Sequence, residues 1–557
     1  MIKENFIQLF ADSFKHNWDL PAHTNYGEEE TLNYSQVAEK VARLHILFEQ
    51  CGIREDDKIA LLGRNSSNWA ITYIATVTYG AIIVPILYDF NPNDIQQIAN
   101  HSEVKLLFAE PTGWEKLDGS KLETIQGVFS LAAFDCLFTK NIDKETLITS
   151  NISALFEKKY PNGFTKDDIK YAKRDNIQLA SINYTSGTTG FSKGVMCNGN
   201  ALAGNIVFGL HTKMLVRHYR TVAFLPFAHA FGCAFDFLTA TCAGCHIHFI
   251  TKIPTPTLLL SAFAEVKPDT IFTVPVIIEK IYRKQIQPII SNSTVRGMLK
   301  IPKLNTFVYS KIKAKIMDAF GGNLVQIIIG GAALNPEAEI FFKKIKFPFT
   351  IGYGMTECAP LISYVNHKEF IASSVGKILY TMEAKIVNVN PETGNGELCV
   401  KGENLMDGYY KNPEATAETI DKEGWLHTGD LGTLDKDGNL FLHGRNKTMI
   451  LGPSGQNIYP EEIEAKLNNM PFVLECLVVE DGGKIIALVY PDYEEQAAQN
   501  LSDEELVNIM EANRKHLNKL LASYEGVYRI VLQKEEFKKT PKNSIKRFLY
   551  QINHQNK

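Results

Sequence analysis

At 557 residues the chain is well past the size at which one hydrophobic core stops growing, so two or more domains are expected and burial sets no limit. Lys plus Arg number 58 against 62 Asp plus Glu, and the resulting formal charge of −4 carries no electrostatic footprint for nucleic acid, which is excluded as an expected partner. The nine cysteines are scattered, in a chain too large to need stapling, so free thiols in a reducing, cytoplasmic setting are the expectation.

The first residues, MIKENFIQLFADSFKHNWD, lack a basic start followed by a continuous apolar run, and no export or mitochondrial signal is expected. From Trp69 to Tyr88 there is no charge, yet Thr72, Tyr73, Thr76, Thr78, Tyr79, Gly80 and Pro85 make a poor bilayer segment. A buried helix ending near Gly80 and a core strand AIIVPI are predicted instead. Short β-branched runs (DKIALLG, GAIIVPI, VKLLFAE, LASINYT, TVAFLPF, CHIHFI, TIFTVPV, LVQIIIGG) alternate with helical patterns, which argues for parallel sheets flanked by helices. Cys242, Cys245 and His246 spell a haem-attachment motif but lie in an apolar stretch that reads as helix end running into strand, so packing is expected there. The lysine-rich stretch from Arg283 to Lys315 reads as a solvated helical face. After Gly396 the pattern changes to short strands broken by turns: GELCVKG, GTLDKDGNLFLHG and LECLVVEDGGKIIALVY. Helices then start at PEEIEAKL and at Ser502, whose capping box is completed by Glu505. The boundary falls near Arg445 to Lys447, giving domains 1–446 and 447–557.

The strand LASINYT runs into TSGTTGFSKG, Thr185 to Gly194. Hydroxyls and glycine backbone N–H groups with one cation, Lys193, suit a phosphate chain, although the spacing is not that of the P-loop. The whole segment YTSGTTGFSKGVM closely resembles the signature loop of the adenylate-forming superfamily of acyl-CoA synthetases, luciferases and peptide-synthetase adenylation domains. LPFAHAFG (Leu225 to Gly232), GGAAL (Gly330 to Leu334), YGMTE (Tyr353 to Glu357), GWLHTGDLG (Gly424 to Gly432) and GRNKTMILGPSGQNIYPEEIE (Gly444 to Glu464) follow in that family's order.

The strand pattern and this resemblance imply an α/β fold. A large N-terminal domain of parallel and mixed sheets flanked by helices, with a β-barrel-like subdomain, would precede a small mobile α+β C-terminal domain. The resemblance also implies a reaction: ATP converts a carboxylate to an acyl-adenylate with loss of pyrophosphate, and coenzyme A then takes the acyl group. Charge developing on phosphate oxygens is what such a site must stabilise. By resemblance, Thr185, Ser186, Gly187, Thr188, Thr189, Gly190 and Lys193 cradle the β and γ phosphates, and Thr356 contacts the α-phosphate. Glu357, the only carboxylate of YGMTECAP, would hold Mg²⁺ as a hard ligand. Tyr353, with Gly354 and Met355 beside it, and the strand end Gly331, Ala332 and Ala333 would sandwich adenine. Asp430 would accept the ribose hydroxyls, with Arg445 as a donor nearby. His229, Phe231 and Phe235 would line the acyl pocket, the two phenylalanines sharing a helix face, with core packing equally open for Phe235. The absence of charge in HAFGCAF before Asp236, and the fatty-acyl look of VPVIIEKIYRK, point to a fatty acid.

The family's last motif ends in a lysine, but the tail here reads FKKTPKNSIKRF and sets Ser544 at that place, flanked by Lys542 and Lys546. In a strand all three would share a face, so either lysine can stand in. Lys447 takes the family's hinge position, and Gly452 and Gly455 belong to a loop that would line the thiol channel. Expected partners are small molecules alone: fatty acid, ATP and coenzyme A. The alternatives are a ligase loading a carrier protein in trans and a non-catalytic ATP-binding regulator. Oligomeric state and peripheral membrane association are not legible.

Overall fold

The computed structural model describes residues 1–140, 147, 149–185, 192–301, 304–391, 393–451, 457–522, 525–540 and 544–550, without the side chains of 149, 150, 284, 285, 291, 447, 451 and 457. The eight runs read as strands are all strands, and they are shared among three sheets. Lys58–Leu62, Ile82–Ile86, Leu106–Ala109 and Leu179–Thr185 form the parallel centre of an eight-stranded sheet. Antiparallel strands close one side of it, Lys193–Asn198 and then Gly408–Tyr409. Thr270–Thr273, Gln326–Ile329 and Phe349–Ile351 make a three-stranded parallel sheet. Arg220–Ala223 and His246–Phe249 join Pro21–Asn25 and Thr31–Asn33 in a four-stranded one.

The uncharged segment after Asn68 is the buried helix Ser67–Tyr79. Ser66 caps it by accepting the Trp69 N–H, and Gly80 ends it at φ 94°, the left-handed geometry that glycine adopts without strain. No helix among the described residues is long and apolar enough to cross a membrane. Cys245 is buried between the helix Ala240–Ala243 and the strand His246–Phe249, as the packing reading expects.

The barrel-like subdomain is an open sheet. Met382–Val387, Gly396–Gly402, Leu426–Leu434 and Leu440–Arg445 pair in that spatial order, all antiparallel. Four strands are too few to close round a side-chain-filled interior, which takes about eight. Among the described residues no strand ladder joins it to the neighbouring sheet of Tyr353–Gly354, Leu361–Tyr364 and Lys377–Ile378; an isolated bridge, Lys377 to Asn439, and the Leu440 N–H to the Gly376 carbonyl at 2.8 Å link them along the backbone. From Ile458 onward the chain buries a core of its own, including Ile463, Leu467, Val478, Ile485, Leu506 and Leu517. Val473–Asp481 and Lys484–Pro491 form its hairpin, turning at Gly482 and Gly483, both at positive φ, and Val527–Leu532 lies parallel beside it. Ser502 and Glu505 form the expected capping box of the helix Asp503–Leu520.

His23 lies buried on Pro21–Asn25, with its Nδ1 3.1 Å from the Ser67 hydroxyl and its ring edge-to-face on Phe249. Burial first, then His246 and Lys40, pulls its pKa down from 6.5 to about 3. The unfolded chain therefore binds more protons than the folded one between those values, and stability present at neutral pH is lost as pH falls through that window. His23→Gln removes this titration. Its stability deficit against the parent, read from chemical denaturation, should narrow as pH drops from 6.5 to about 4.5. A deficit constant over that range would contradict the assignment.

Candidate active site

Three strand ends build the site. Thr185 closes Leu179–Thr185 and stands opposite Lys193, the first residue of Lys193–Asn198, so both ends of the hydroxyl-rich loop are fixed side by side. The Thr185 hydroxyl donates to the Lys193 carbonyl at 3.5 Å. Ser186, Gly187, Thr188, Thr189 and Gly190 lie outside the described residues. The Lys193 ammonium sits 4.7 Å from the ring centre of Tyr409, and the Tyr409 hydroxyl donates to Glu357 Oε1 at 2.9 Å. Burial, with Glu357 next, raises the Tyr409 pKa, which keeps the phenol protonated and donating. Tyr409 went unnoticed in the sequence, where only its place between Gly408 and Tyr410 marks it.

Glu357 belongs to the short 3₁₀ turn Thr356–Cys358. Asn205, fully buried on the helix Gly199–His211, holds that turn from beneath. Its amide donates to the Cys358 carbonyl at 3.3 Å and accepts from the Leu361 N–H at 3.0 Å. The Met406 N–H donates to the Glu357 carbonyl at 2.8 Å. Gly354 is required just upstream, because a Cβ there would meet the Pro360 carbonyl oxygen at 2.2 Å. Asn205 carried no motif signal either, since a lone polar residue on an apolar helix reads as an ordinary core amide.

Asp430 is buried on Leu426–Leu434, in register with Arg445 on Leu440–Arg445. Its Oδ2 accepts from the Tyr353 hydroxyl at 2.5 Å and its Oδ1 from Arg445 Nε at 2.9 Å. Burial, then the Asp430 charge, pushes the Tyr353 pKa up, while Asp430 raises that of Arg445. Tyr353 follows the strand Phe349–Ile351, and the Gly330–Ala333 segment follows its parallel neighbour Gln326–Ile329. Gly331, Ala332 and Ala333 are exposed there, at the carboxyl ends of parallel strands where α/β folds bind ligands.

Phe231 is half-buried, with its ring against Gly330, where an added Cβ would meet it at 3.1 Å. Phe235 is buried and stacked on Phe272 at 5.8 Å, so the structure gives it a packing position. The helix carrying these side chains, Gly232–Thr239, is wound wider than an α-helix, and the Thr239 hydroxyl donates to the Ala234 carbonyl at 2.6 Å. His229 is half-buried at the preceding turn, where its carbonyl accepts the Cys233 N–H at 2.9 Å. Asp236 is fully buried with no hydrogen-bond partner for either carboxyl oxygen, and burial pushes its pKa well above the ordinary value. It offers this pocket no fixed negative charge.

Residues 10–410 match the AMP-binding enzyme family and residues 447–555 its C-terminal domain. The chain belongs to that family. A human relative, the long-chain-fatty-acid–CoA ligase ACSBG2, is 26% identical over 86% of this chain and 75% of its own. Among solved structures, the anthranilate–CoA ligase AuaEII in complex with anthranoyl-AMP superposes with a TM-score of 0.76 at 20% identity, covering 98% of this chain and 96% of that one. A Mycobacterium tuberculosis fatty acyl-CoA synthetase does so with a TM-score of 0.65 at 18% identity, covering 98% and 97%. Family and relatives together support an AMP-forming acid–CoA ligase.

The tail is placed on the C-terminal sheet. Thr540 N–H donates to the Ser544 carbonyl at 2.8 Å and Lys546 N–H to the Lys538 carbonyl at 2.8 Å, closing a small hairpin. Arg547 then clamps it, donating to Glu464 at 2.8 Å and to the Val478 carbonyl at 3.2 Å. Ser544 is exposed and Lys546 half-exposed. Lys542, Gly452 and Gly455 lie outside the described residues, as does the side chain of Lys447, whose backbone is in the turn Asn446–Thr448.

Asn205→Ala would leave the Leu361 N–H buried without its acceptor, at a cost of about 1–3 kcal/mol. A lowered denaturation midpoint together with a loss of activity larger than the loss of folded protein is expected. Full activity in the folded variant would remove Asn205 from the support of Glu357.

Proposed function

We propose that this chain is a fatty-acid–CoA ligase that forms an acyl-adenylate from a long-chain acid and ATP, then transfers the acyl group to coenzyme A. The observation that carries the reading is the convergence of Lys193, Tyr409 and Glu357 within an AMP-binding enzyme. In this reading Lys193 and the Thr185–Gly190 loop neutralise the β and γ phosphates, and Thr356 contacts the α-phosphate. Glu357 suits Mg²⁺ because its Oε2 has no protein donor among the described residues while Oε1 is braced by Tyr409. Bound there with ATP, the cation would offset the negative charge of the phosphates. Asp430 exchanges its Tyr353 contact for ribose hydroxyls, and the ring of Tyr353 with Gly331 to Ala333 flanks adenine, beside Gly354 and Met355.

The fatty-acid part rests on the aromatic cluster of Phe231, Phe235 and Phe272 beside the half-buried His229, and on the names of the relatives. Lys447, where the matched C-terminal domain begins, takes the hinge position in this reading. Gly452 and Gly455 then belong to the loop that reaches the thiol path once the C-terminal domain turns. Pyrophosphate release measured over acids of graded chain length and over aryl acids, with and without coenzyme A, tests both levels. Preference for aryl acids would sink the fatty-acid assignment, and no release with any acid would sink the ligase. Glu357→Gln should slow adenylate formation strongly and thiolysis of pre-formed acyl-adenylate much less, since only the first step expels pyrophosphate. Equal losses in both half-reactions would contradict its role.

For adenylation, Lys546 is assigned the place of the family's tail lysine, with Lys542 the other candidate and Ser544 between them. Either must travel with the C-terminal domain to reach the phosphates. Single-turnover measurements on Lys546→Ala should find adenylate formation impaired and thiolysis spared. If Lys546→Ala and Lys542→Ala both adenylate at the parent rate, the tail supplies no such lysine.

A further inference from the structure

The strand Gly396–Gly402 turns Glu397 and Cys399, two positions apart, to one face, and the register sets His427 directly opposite Cys399. His427 Nδ1 lies 3.4 Å from Cys399 Sγ and 3.1 Å from Glu397 Oε2. All three donor atoms fall within 4.8 Å of one another. A neutral imidazole has at most one N–H at Nδ1 and cannot serve both neighbours well, whereas a cation among them is met by all three. The two separations from His427 also have the right size. Zinc bonds of about 2.3 Å to sulfur and 2.0 Å to nitrogen or oxygen, at tetrahedral angles, require about 3.5 Å between S and N and about 3.3 Å between N and O.

The far nitrogen, Nε2, faces Asp421 Oδ2 at 3.7 Å, the arrangement in which a carboxylate orients a metal-bound histidine. Cys399 is fully buried, the Glu397 side chain is 13% exposed and that of His427 34%, so ligands and a path to solvent coexist. One cation stands near: Lys385, in register with Cys399 on the other flank, with its ammonium 4.2 Å from the Trp425 ring centre.

We propose that Glu397, Cys399 and His427 form a binding site for a borderline-soft divalent cation of the Zn²⁺ type, distinct from the Mg²⁺ ligand Glu357. A sulfur ligand disfavours Mg²⁺ and Ca²⁺, which take oxygen. A cysteine side chain at neutral pH is mainly the protonated thiol. Binding breaks the S–H bond, forms an S–metal bond and releases that proton to solvent. Glu397 Oε1 meanwhile keeps the Gly429 N–H at 3.3 Å, so the cation braces the strand that presents Asp430, without entering the chemistry. The site stands independently of the ligase reading.

The test uses the full-length protein, stripped with a chelator and titrated with Co²⁺. Expected are one equivalent bound with a thiolate-to-cobalt charge-transfer band, release of a proton on binding, and displacement by Zn²⁺. Cys399→Ser should lose the band although eight other cysteines remain of the nine. Asp421→Asn removes no ligand, only the carboxylate beside His427 Nε2, and should keep the band while weakening affinity roughly 10- to 100-fold, which keeps the test decisive if the cysteine variant misfolds. No band in the parent, a band undiminished in Cys399→Ser, or parent affinity in Asp421→Asn would each overturn the site.

Discussion

Tyr409 keeps a cation and an anion close together without letting them pair. Its ring faces the Lys193 ammonium and its hydroxyl holds Glu357, and among the described residues neither charge has an ion-pair partner. A direct Lys–Glu bridge would satisfy both groups internally and have to be broken by any phosphate or metal that arrives. The tyrosine contact orients the lysine with a weak attraction, on the order of 0.5–2 kcal/mol, which an incoming anion outbids. On the proposed reading, this leaves both charges positioned and available to phosphate and cation.

That arrangement depends on long-range packing, and this explains what the sequence made legible. The strands were readable because β-branched runs report their own burial, and all eight were found. Asp430 and Glu357 were readable as members of short motifs. Tyr409 and Asn205 were not, because each acts on a residue more than 50 positions away, over 52 and 153 to 156 residues respectively, and no local period encodes such a contact. The barrel-like expectation failed for a related reason: strand propensity is local, but closure depends on strand number and shear, which short runs do not specify. Phe235, for which pocket and packing were both open, lies against Phe272, which is itself far off in sequence.

The C-terminal domain holds its tail by a different principle. The Glu464 side chain is 12% exposed, and burial raises its pKa while Arg547 lowers it, so the guanidinium is what makes this largely desolvated carboxylate tolerable. Arg547 also reaches the Val478 carbonyl, so the tail is pinned to the strand Val473–Asp481 of that domain. Ser544 and Lys546 are carried on this rigid piece, two residues apart. Among the described residues, side-chain hydrogen bonds between that domain and the other are polar and scattered: His443 with Glu462 at 3.3 Å, Thr448 to the Arg445 carbonyl at 3.0 Å, Asn395 to the Tyr459 hydroxyl at 3.5 Å, and Arg283 to the carbonyls of Val473 and Asn468. Interfaces of that kind suit reorientation.

Asp430 joins the two halves of this picture. Its carboxylate is already satisfied by Tyr353 and Arg445, and it sits on a strand whose preceding residues, His427 and Gly429, are both held by Glu397. On the proposed reading a ribose would exchange contacts with Tyr353, and what would favour the exchange is that two vicinal hydroxyls offer two donors where Tyr353 offers one. Arg445 can remain throughout, since it occupies the other oxygen. Asp430 and Arg445 are also the last paired positions of this ladder before the turn Asn446–Thr448, so on the proposed reading nucleotide binding and the start of the C-terminal domain meet at one side-chain pair.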